Sequence, residues 1–434
     1  MNYYFRRNDG LIAIITSLCI ITPIFFQIKY GIFLDRSMVF DSYGLISRLP
    51  IPISVAACLI GIPLIGHYRN GKFAIIVCCS SFALMIISLL VVASGQGEIL
   101  QEKIIKLSQF LLPMVALVLG QVYVCKDDEL SFLSKSFFIV LFIIILLQMS
   151  CSWQYGFTML SPYLFLPYIA LFSIYQHLQY VPVVFASAFI IVLFVLGSDN
   201  ALRKWIVIFM PIMVLYVVVS TTLTGMFLLI SGTLIYVLMY INMRKWIIIK
   251  LACAVFLIFS LAFGYLYHYR GQNMLEEKIS IVTTNELSGI EITGIKKRLW
   301  YWDFYGNEVI KDAKTFFFGN ALPMSRAKHA SAHNYYLDFV YNFGFLSFIP
   351  MLILIAATLR GAYRKRKDIF ASPELMGITI VVLYLLFVEN MLKVGMRQPY
   401  PGIFTFFLWG ILISKLSVFS LREPGRNEAA SASA

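Results

Sequence analysis

The sequence predicts an all-α polytopic membrane protein, a bundle of about twelve transmembrane helices with one long polar loop. The first observation is composition, since 60% of the 434 residues are hydrophobic and 13% are charged, whereas roughly a quarter of the residues in a soluble domain are charged. The second is a mean hydropathy of +0.82. The third is that apolar runs of spanning length recur along the whole chain and are continuous. Continuous runs, without alternation at every second residue, exclude a closed β-barrel.

The apolar runs divide the chain into two sets of helices. We predict N-terminal transmembrane helices in 1–267, a polar loop in 268–334, C-terminal transmembrane helices in 335–419 and a disordered tail in 420–434. Several runs are short for a span, so the expected count is twelve or thirteen. The predicted spans are 11–28, 50–67, 73–93, 109–125, 136–152, 163–178, 181–197, 205–221, 224–242, 246–267, 335–359, 375–394 and 402–419.

Basic residues cluster in short connections between the spans, and they set the expected orientation. The positive-inside rule places Arg6-Arg7, 67–72, Arg244-Lys245 and 360–367 in the cytoplasm, so the long polar loop lies outside. The formal charge of +13 therefore indicates membrane orientation and not nucleic-acid binding. However, ten predicted spans precede the loop, whereas these charges require an odd number. One segment between about 135 and 242 is therefore expected to be broken, re-entrant or wrongly divided.

The chain contains none of the motifs that mark soluble enzymes. It has no GxxxxGK[ST], no HExxH, no cysteine pair at metal-ligand spacing and no strand-associated GxGxxG. Its seven cysteines lie in or beside apolar runs and are expected to be packing residues. The acidic cluster 127–129 is expected to be a solvated cytoplasmic loop, so we expect no metal ion and no other cofactor. The N-terminal apolar run lacks a cleavage site and is expected to remain as the first helix.

Two segments of the polar loop are predicted to lie at or near the membrane. From Lys296 to Tyr305 cationic and aromatic residues are interleaved, which is typical of a helix in the headgroup belt, with aromatics in lipid and cations on phosphates. This arrangement would place Arg298 beside phosphate. The segment 317–323, Phe-Phe-Gly-Asn-Ala-Leu-Pro, predicts a turn that returns the chain towards the bundle.

A histidine stands where the polar loop re-enters an apolar helix, at His333. Imidazole can act as a base near neutral pH. Several other cationic or titratable groups are expected near the outer face: Arg298, Arg326, Lys328, His329 and Arg397, with Arg203 as a further candidate. Such a set suits a substrate with an anionic head and a lipid tail, because arginine binds phosphate oxygens bidentately and stabilises a diphosphate leaving group.

The penultimate span contains polar residues that are costly in lipid. Glu389 and Asn390 are therefore expected to face the bundle interior. We expect Glu389 to pair with either Lys393 or Arg397, in the second case holding the orientation of that arginine. A purely structural ion pair would account for the same residues.

These residues resemble the O-antigen ligase and polymerase superfamily of bacterial envelope glycan assembly. The family signature is His-[Asn/Ser/Gln], nine residues, Gly, two residues and often a second Gly. His333-Asn334, nine residues and Gly344 match it, and Ser347 stands at the final position. Upstream, Arg298-Leu-Trp300 and Gly319-Asn320 are similar to the family's Arg and Gly turn. Downstream, Glu389 and Arg397 are similar to its acidic residue and arginine. The resemblance covers roughly 290–400 by motif and the remainder by topology.

The resemblance implies a GT-C-like fold in the bacterial inner membrane, with the polar loop and the active site facing the periplasm. It implies metal-independent, inverting transfer of a glycan from undecaprenyl diphosphate to a hydroxyl of the lipid A core or of a second lipid-linked repeat. His333 would activate the acceptor, Arg298, Arg397 and Arg203 would hold the diphosphate, and His329, Asn334, Arg326 and Glu389 would support them. The partners would be these substrates and membrane lipids, without nucleic acid.

One family feature has two candidate positions in this chain. The ligases have an arginine that opens a helix ahead of the long loop in a Thr/Ser-Arg setting. By helix count this place falls at Thr224, where no arginine stands, and by local pattern it falls at Arg203. If Arg203 does not serve, Arg326 or Lys328 would supply the second phosphate contact.

A different functional class fits part of the same evidence. In a transporter or flippase of lipid-linked oligosaccharide, cations in the bundle would line a pathway and do no chemistry. The chain shows no internal repeat, and its large outer loop favours an enzyme. The His signature favours a ligase over a polymerase, whereas the missing Thr/Ser-Arg favours the reverse.

Overall fold

A computed structural model of the chain describes residues 18–23, 25–26, 51–65, 72–92, 97–123, 127–154, 180–197, 199–219, 222–240, 295–322 and 331–416. These residues are mostly helical, as the sequence predicts. The strands among them are the two-residue segments β1 (Phe25–Phe26) and β2 (Ile51–Pro52), which pair antiparallel. Helix packing therefore accounts for the fold.

Helices lie before, inside and after the predicted polar loop. Before it come α1 (Ser54–Ile65), α2 (Lys72–Val92), α3 (Gly97–Tyr123), α4 (Asp127–Gln154), α5 (Tyr180–Leu196), α6 (Asn200–Val219) and α7 (Leu223–Tyr240). Inside it are α8 (Ile295–Ile310) and α9 (Ala313–Phe318). After it come α10 (Tyr335–Arg364), α11 (Arg366–Ala371), α12 (Pro373–Tyr384), a π-helical turn (Leu385–Glu389), α13 (Asn390–Leu392), a 3₁₀ turn (Gly395–Arg397) and α14 (Pro399–Leu416).

Five helical stretches of the described chain are long and apolar enough to cross a membrane. They are Lys72–Val92, Leu100–Gln121, Tyr335–Arg364, Pro373–Leu392 and Pro399–Leu416. Shorter apolar helices occur at Leu130–Leu146, Tyr180–Leu196 and Leu223–Met239. The predicted spans 73–93, 375–394 and 402–419 each match a stretch within three residues. The predicted spans 11–28, 163–178 and 246–267 lie wholly or mostly outside the described residues.

Two sequence predictions need correction at α3 and α4. Helix α3 begins at Gly97 and not at 109, because its first turns are polar and escape a search for apolar runs. The acidic cluster 127–129, predicted as a loop, opens α4. Negative charge is favourable in the first turn of a helix, where the backbone N–H groups have no acceptor within the helix.

One end of the bundle carries the polar loop, and we call it the loop end. Near the end of α2, the Ser88 hydroxyl donates to the carbonyl of Phe318 in α9. Near the start of α3, the Lys103 ammonium donates to the carbonyl of Asn320, at 2.6 Å. Helix α10 also starts here, at Tyr335. The segment after α9 therefore returns to the bundle, as the turn predicted at 317–323 requires.

The opposite end is rich in exposed cations, and we call it the basic end. The N–H of Ala74, at the start of α2, donates to Gln121 Oε1, at the end of α3, over 3.1 Å. Lys72 lies at this end, and so does the run 360–367, which begins in the last turns of α10. The described helices therefore separate the polar loop from basic residues by the length of the bundle.

The interior is built on one close helix contact, between α3 and α14, and on one fully buried helix, α5. Helices α3 and α14 run parallel, and a Cβ at Gly120 or Gly410 would overlap the backbone of the other helix. Small residues at such positions allow membrane helices to approach closely. All residues of α5 are buried, as expected for a helix that is apolar on every side.

Ten spans are predicted before the polar loop, whereas the basic connections require an odd number, and this conflict concerns one connection. Helix α4 follows α3 at the basic end and, at 28 residues, is long enough to reach the loop end. Helix α5 starts at the loop end, since Tyr180 lies beside Lys393, which follows α13. The helix ends that flank the connection 155–179, which contains the predicted span 163–178, are therefore expected on the same side of the bundle.

Candidate functional site

The signature residues His333 and Asn334 form the start of α10. Asn334 is the N-cap, and its side-chain oxygen accepts from the backbone N–H of Tyr336 (3.0 Å) and of Leu337 (3.1 Å). Asn and Ser are favoured at this position because they satisfy N–H groups that have no partner within the helix. Asn334, predicted as a supporting site residue, therefore has a helix-capping role here, and its oxygen is occupied.

His333 has a backbone conformation that is rare for its residue type. Its φ of +53° is the one positive φ of a non-glycine residue in the described part of the chain. A left-handed conformation costs about 1–2 kcal/mol for such a residue and persists only when its surroundings enforce it. The strained turn directs the half-buried imidazole towards α8, where its ring lies 5.7 Å from that of Tyr301 at an interplanar angle of 30°.

Asp338, one turn into α10, holds this strained turn in place. Its carboxylate is fully buried and accepts from the Ser331 hydroxyl (3.0 Å) and from the N–H of Ala332 (2.7 Å). The Ser331 hydroxyl oxygen in turn accepts from the N–H of His333, at 3.0 Å. The same carboxylate forms a buried ion pair with Arg397. Asp338 thus joins the histidine turn to the segment after α13.

Helix α8 brings Arg298 to the same place. Tyr301, Tyr305 and Val309 form its buried face and pack on Ala332 and Tyr341. Arg298 precedes Tyr301 by three residues, and residues at this spacing lie on one helix face. Because Tyr301 contacts the His333 ring, Arg298 lies within about one helical turn of it. The helix predicted from the interleaved cations and aromatics is thus present, and its position in lipid stays a prediction.

The charge on Arg298 interacts with the penultimate span. Partial burial lowers the pKa of the Arg298 guanidinium, and the carboxylate of Glu389 opposes this shift. Arg298 also acts electrostatically on Lys393. These couplings place Arg298, Glu389 and Lys393 in one neighbourhood, although they are far apart in sequence.

The penultimate span loses α-helical geometry where these charges lie. Glu389 ends the π-helical turn, a feature frequent at functional sites. It pairs with Lys393 over 3.1 Å, and the ammonium of Lys393 also donates to the Thr224 hydroxyl at 3.0 Å. Both charged residues are buried. Of the two pairings predicted for Glu389, the structure has the one with Lys393, while Arg397 pairs with Asp338.

Two buried groups of this cluster keep unused hydrogen-bonding capacity. Within the described ranges, the second carboxylate oxygen of Glu389, Oε2, has no hydrogen-bond partner, and neither has the Nε of Arg397. Such groups are costly to bury. The arrangement can therefore accept donors at Glu389 and offer a donor at Arg397 to a bound molecule.

The signature glycine Gly344 allows the loop to pack on α10. Gly344 has a φ of +75° and interrupts α10, and a Cβ there would overlap the carbonyl group of Phe317. Gly319 has a φ of +87°, and a Cβ there would lie 2.7 Å from the backbone of Asn342. The N–H of Asn320 donates to the carbonyl of Tyr341 at 2.7 Å. Two glycines thus let two backbone segments cross in contact.

Lys103, which the sequence did not single out, fixes this crossing. It is 2% exposed, and its ammonium donates to the carbonyls of Asn320 (2.6 Å) and Asn342 (2.9 Å). The break at Gly344 leaves carbonyls of α10 available for such a contact. The predicted span 109–125 begins after Lys103, so the sequence prediction did not include this residue in the bundle.

The structure does not bring every predicted site residue together. Arg203 is exposed near the start of α6 and acts electrostatically on Tyr236. Tyr236 follows Thr224 by twelve residues on α7, or ~18 Å along the helix. Arg203 therefore lies at the basic end, away from Lys393 and Arg298. Predicted residues Arg326 and His329 lie outside the described residues, as does Lys328.

Asp338 is the principal residue that the sequence prediction missed. A signal for it was present, because it is a carboxylate within the apolar run 335–359 and such groups are costly in lipid. The same argument had been applied to Glu389 but not to Asp338.

The assembled cluster is suited to an anion. It contains the cations Arg298, Lys393 and Arg397 against the carboxylates of Asp338 and Glu389, with His333 at the side of α8. Counting His333 as neutral, three positive and two negative charges leave one positive charge. In the described ranges, no three residues among His, Cys, Asp and Glu lie together as a metal site would require. Comparison of the chain with protein-family models and with curated proteins finds no match.

Proposed function

We propose that the chain is a membrane glycosyltransferase of the O-antigen ligase or polymerase type. It would move a glycan from undecaprenyl diphosphate to an acceptor hydroxyl. The observation that carries this proposal is the convergence of Arg298, Lys393 and Arg397 beside His333, at the end of the bundle where the polar loop lies. A lipid-linked diphosphate can reach such a site with its tail in the bilayer, and its anionic head requires fixed cations.

The diphosphate ligands in this proposal are Arg298 and Lys393, with the Nε of Arg397 as a third donor. As the bond between sugar and phosphate breaks, negative charge develops on the leaving diphosphate, and buried cations stabilise it. Lys393 contacts Thr224, the place where the resemblance locates a helix-opening arginine. We therefore assign the second phosphate contact to Lys393 in place of Arg203.

His333 is the residue proposed to act on the acceptor. A neutral imidazole can take the proton of a sugar hydroxyl as that oxygen attacks the anomeric carbon. Attack opposite to the departing diphosphate inverts the anomeric configuration. The acceptor and the diphosphate bind on opposite sides of one sugar, so the group that activates the acceptor must lie about one sugar away from the diphosphate ligands. The His333 ring satisfies this requirement, because it lies beside Tyr301, one helical turn from Arg298 on α8.

The orientation proposed for the bundle places this site in the periplasm. Exposed cations at the basic end, including Lys72 and the run 360–367, favour a cytoplasmic location for that end. If 11–28 and 246–267 each cross once and 163–178 does not, nine crossings precede the loop and the total is twelve. This count satisfies the odd number that the basic connections require and agrees with a GT-C-like bundle in the inner membrane.

The experiment that tests the function is glycan profiling of a deletion strain. The strain is complemented with the wild-type chain, His333→Ala, Arg298→Ala or, as a control just beyond the end of the same helix, Lys311→Ala, whose side chain is exposed. We expect wild type and Lys311→Ala to restore the envelope glycan and the other two variants to fail at equal protein levels. Restoration by both His333→Ala and Arg298→Ala would contradict the proposal.

The profile of the deletion strain separates the acceptors. Long-chain glycan accumulating on the lipid carrier, with a bare lipid A core, would identify a ligase. A core that carries a single repeat would identify a polymerase. Lipid-linked repeats retained on the cytoplasmic face would support a flippase, in which the same cations line a path.

A further inference from the structure

The buried carboxylate of Asp338 has no role yet in the proposed transfer. Its partners among the described residues are Ser331, Ala332 and Arg397. Both oxygens are therefore engaged, and the group is fully buried. A carboxylate in this state is unsuited to accept a proton from a substrate. Its contacts instead lie on two segments that carry proposed site residues.

The first segment is the turn that precedes α10. Asp338 accepts from the Ser331 hydroxyl, and Ser331 Oγ accepts from the N–H of His333 at 3.0 Å. This chain of hydrogen bonds ends on the residue whose φ is +53°. A backbone held in a rare conformation requires contacts that over-determine it. Ser331 and Ala332 supply them, and the imidazole is directed towards Tyr301.

The second segment is the 3₁₀ turn Gly395–Arg397. Arg397 is buried and bound by Asp338 Oδ2, the same oxygen that accepts from Ser331. A charge-assisted contact fixes the guanidinium plane, because its nitrogens have a rigid planar geometry. The Nε that has no partner within the described ranges then has a fixed direction.

We infer that Asp338 is the positioning residue of the site: through Ser331 it fixes His333, and through its ion pair it fixes Arg397. One carboxylate thereby sets the distance between the group that acts on the acceptor and a group that binds the diphosphate. This inference rests on the proposed glycan transfer for its catalytic consequence. Its geometric part, that the orientation of His333 depends on Asp338 and Ser331, does not.

The kinetic test uses purified protein in nanodiscs with a synthetic lipid-diphosphate donor. Ser331→Ala removes the link to His333 and leaves the Asp338–Arg397 pair. We expect kcat to fall on the order of tenfold with the donor KM unchanged, since misplacement of a reacting group slows the chemical step. Asp338→Asn also releases Arg397 and is expected to raise the donor KM. Ser81→Ala, at a buried serine of α2 outside this chain of bonds, is the control and should leave both constants unchanged.

A double-variant cycle separates positioning from general stability. In a His333→Ala background, Ser331→Ala should cost no further activity, because its effect acts through His333. An equal loss of activity in the presence and absence of His333 would overturn the inference.

A measurement without substrate keeps the two proposals distinguishable. Diethyl pyrocarbonate modifies accessible imidazoles, and mass spectrometry gives the rate at each histidine. We expect Ser331→Ala and Asp338→Asn each to change the rate at His333 several-fold relative to His67 in the same molecule. If wild type transfers no glycan but this shift occurs, the proposed function fails and the positioning stands. If the rate at His333 is unchanged in both variants, the positioning fails whatever the activity.

Discussion

The two ends of the bundle hold the same cationic residue types in opposite physical states. At the loop end, Lys393 and Arg397 are each 6% exposed, and each is paired with a buried carboxylate. At the basic end, Arg203, Lys204 and Arg360 are exposed, and none of them forms an ion pair with another described residue. The sequence analysis placed Arg360 and Arg397 at opposite ends of the bundle, as the structure does, but it placed Arg203 at the wrong end.

The difference between buried and exposed cations shows to which of them a function can be assigned. An exposed cation at a membrane surface costs little, and its distribution reports orientation. A buried cation in a membrane bundle is costly and remains only where partners or a ligand compensate. The loop-end cations are therefore the ones to which a function should be assigned, and the basic-end cations are those that define the cytoplasmic side in our proposal.

The largest expected contrast comes from removing one lysine at each end. Lys393→Met leaves Glu389 buried without its counter-charge and should lower the free energy of unfolding by about 3–5 kcal/mol. Lys204→Met removes an exposed charge on α6 and should change it by less than about 0.5 kcal/mol. Denaturant unfolding in detergent micelles measures both. Equal effects of the two variants would remove the distinction between the ends.

The next contrast concerns the crossing of two backbone segments at the loop end. In Gly344→Ala, the added Cβ would overlap the carbonyl group of Phe317, and alanine would have to adopt a φ of +75°. We therefore expect the free energy of unfolding to fall by about 2–4 kcal/mol because of strain and overpacking. Gly306→Ala is the control, because nothing lies within 4 Å of a Cβ there. Because alanine favours a helix more than glycine does, Gly306→Ala should raise the free energy of unfolding by about 0.5–1 kcal/mol. A neutral Gly344→Ala would show that the crossing is not as close as described.

A smaller effect is expected at Lys103, whose role is to hold that crossing together. Lys103→Met removes the hydrogen bonds to the carbonyls of Asn320 and Asn342, and we expect it to lower the free energy of unfolding by about 1–3 kcal/mol. Hydrogen exchange measured by mass spectrometry should show faster exchange in α9 and at Asn320, with α14 unchanged. Unchanged protection of α9 would mean that Lys103 does not fix the loop.

Most of the helical architecture could be predicted from the sequence, because apolar runs such as 73–93 and 402–419 report burial in lipid directly. The start of α3 could not, since Lys103 looks the same in sequence whether it is solvated or buried on carbonyls. The interruption at Gly344 is also invisible in composition, because it depends on the approach of Phe317 from another segment.

The candidate site was predicted in its elements, and the pair of Glu389 with Lys393 was one of two predicted alternatives, but the pair of Asp338 with Arg397 was not predicted. His333 and Arg298 were selected by residue type and motif, and the structure brings them to one face of α8. The pairing of Arg397 with Asp338 depends on how the segment after α13 returns towards α10. Arg203 was chosen from a local pattern, although helix direction places it at the basic end. Pairings of this kind depend on tertiary geometry that spacing along the chain does not contain.

The central claim is that the loop-end cations and His333 transfer a glycan. Its most direct test is reconstitution in nanodiscs with an undecaprenyl-diphosphate-linked glycan labelled in the sugar, plus acceptor. The account predicts that wild type and Arg203→Ala release free undecaprenyl diphosphate and label the acceptor at equal rates. His333→Ala and Arg298→Ala should be slower by about 10²-fold or more. Equal rates for all four proteins, or a loss confined to Arg203→Ala, would contradict it.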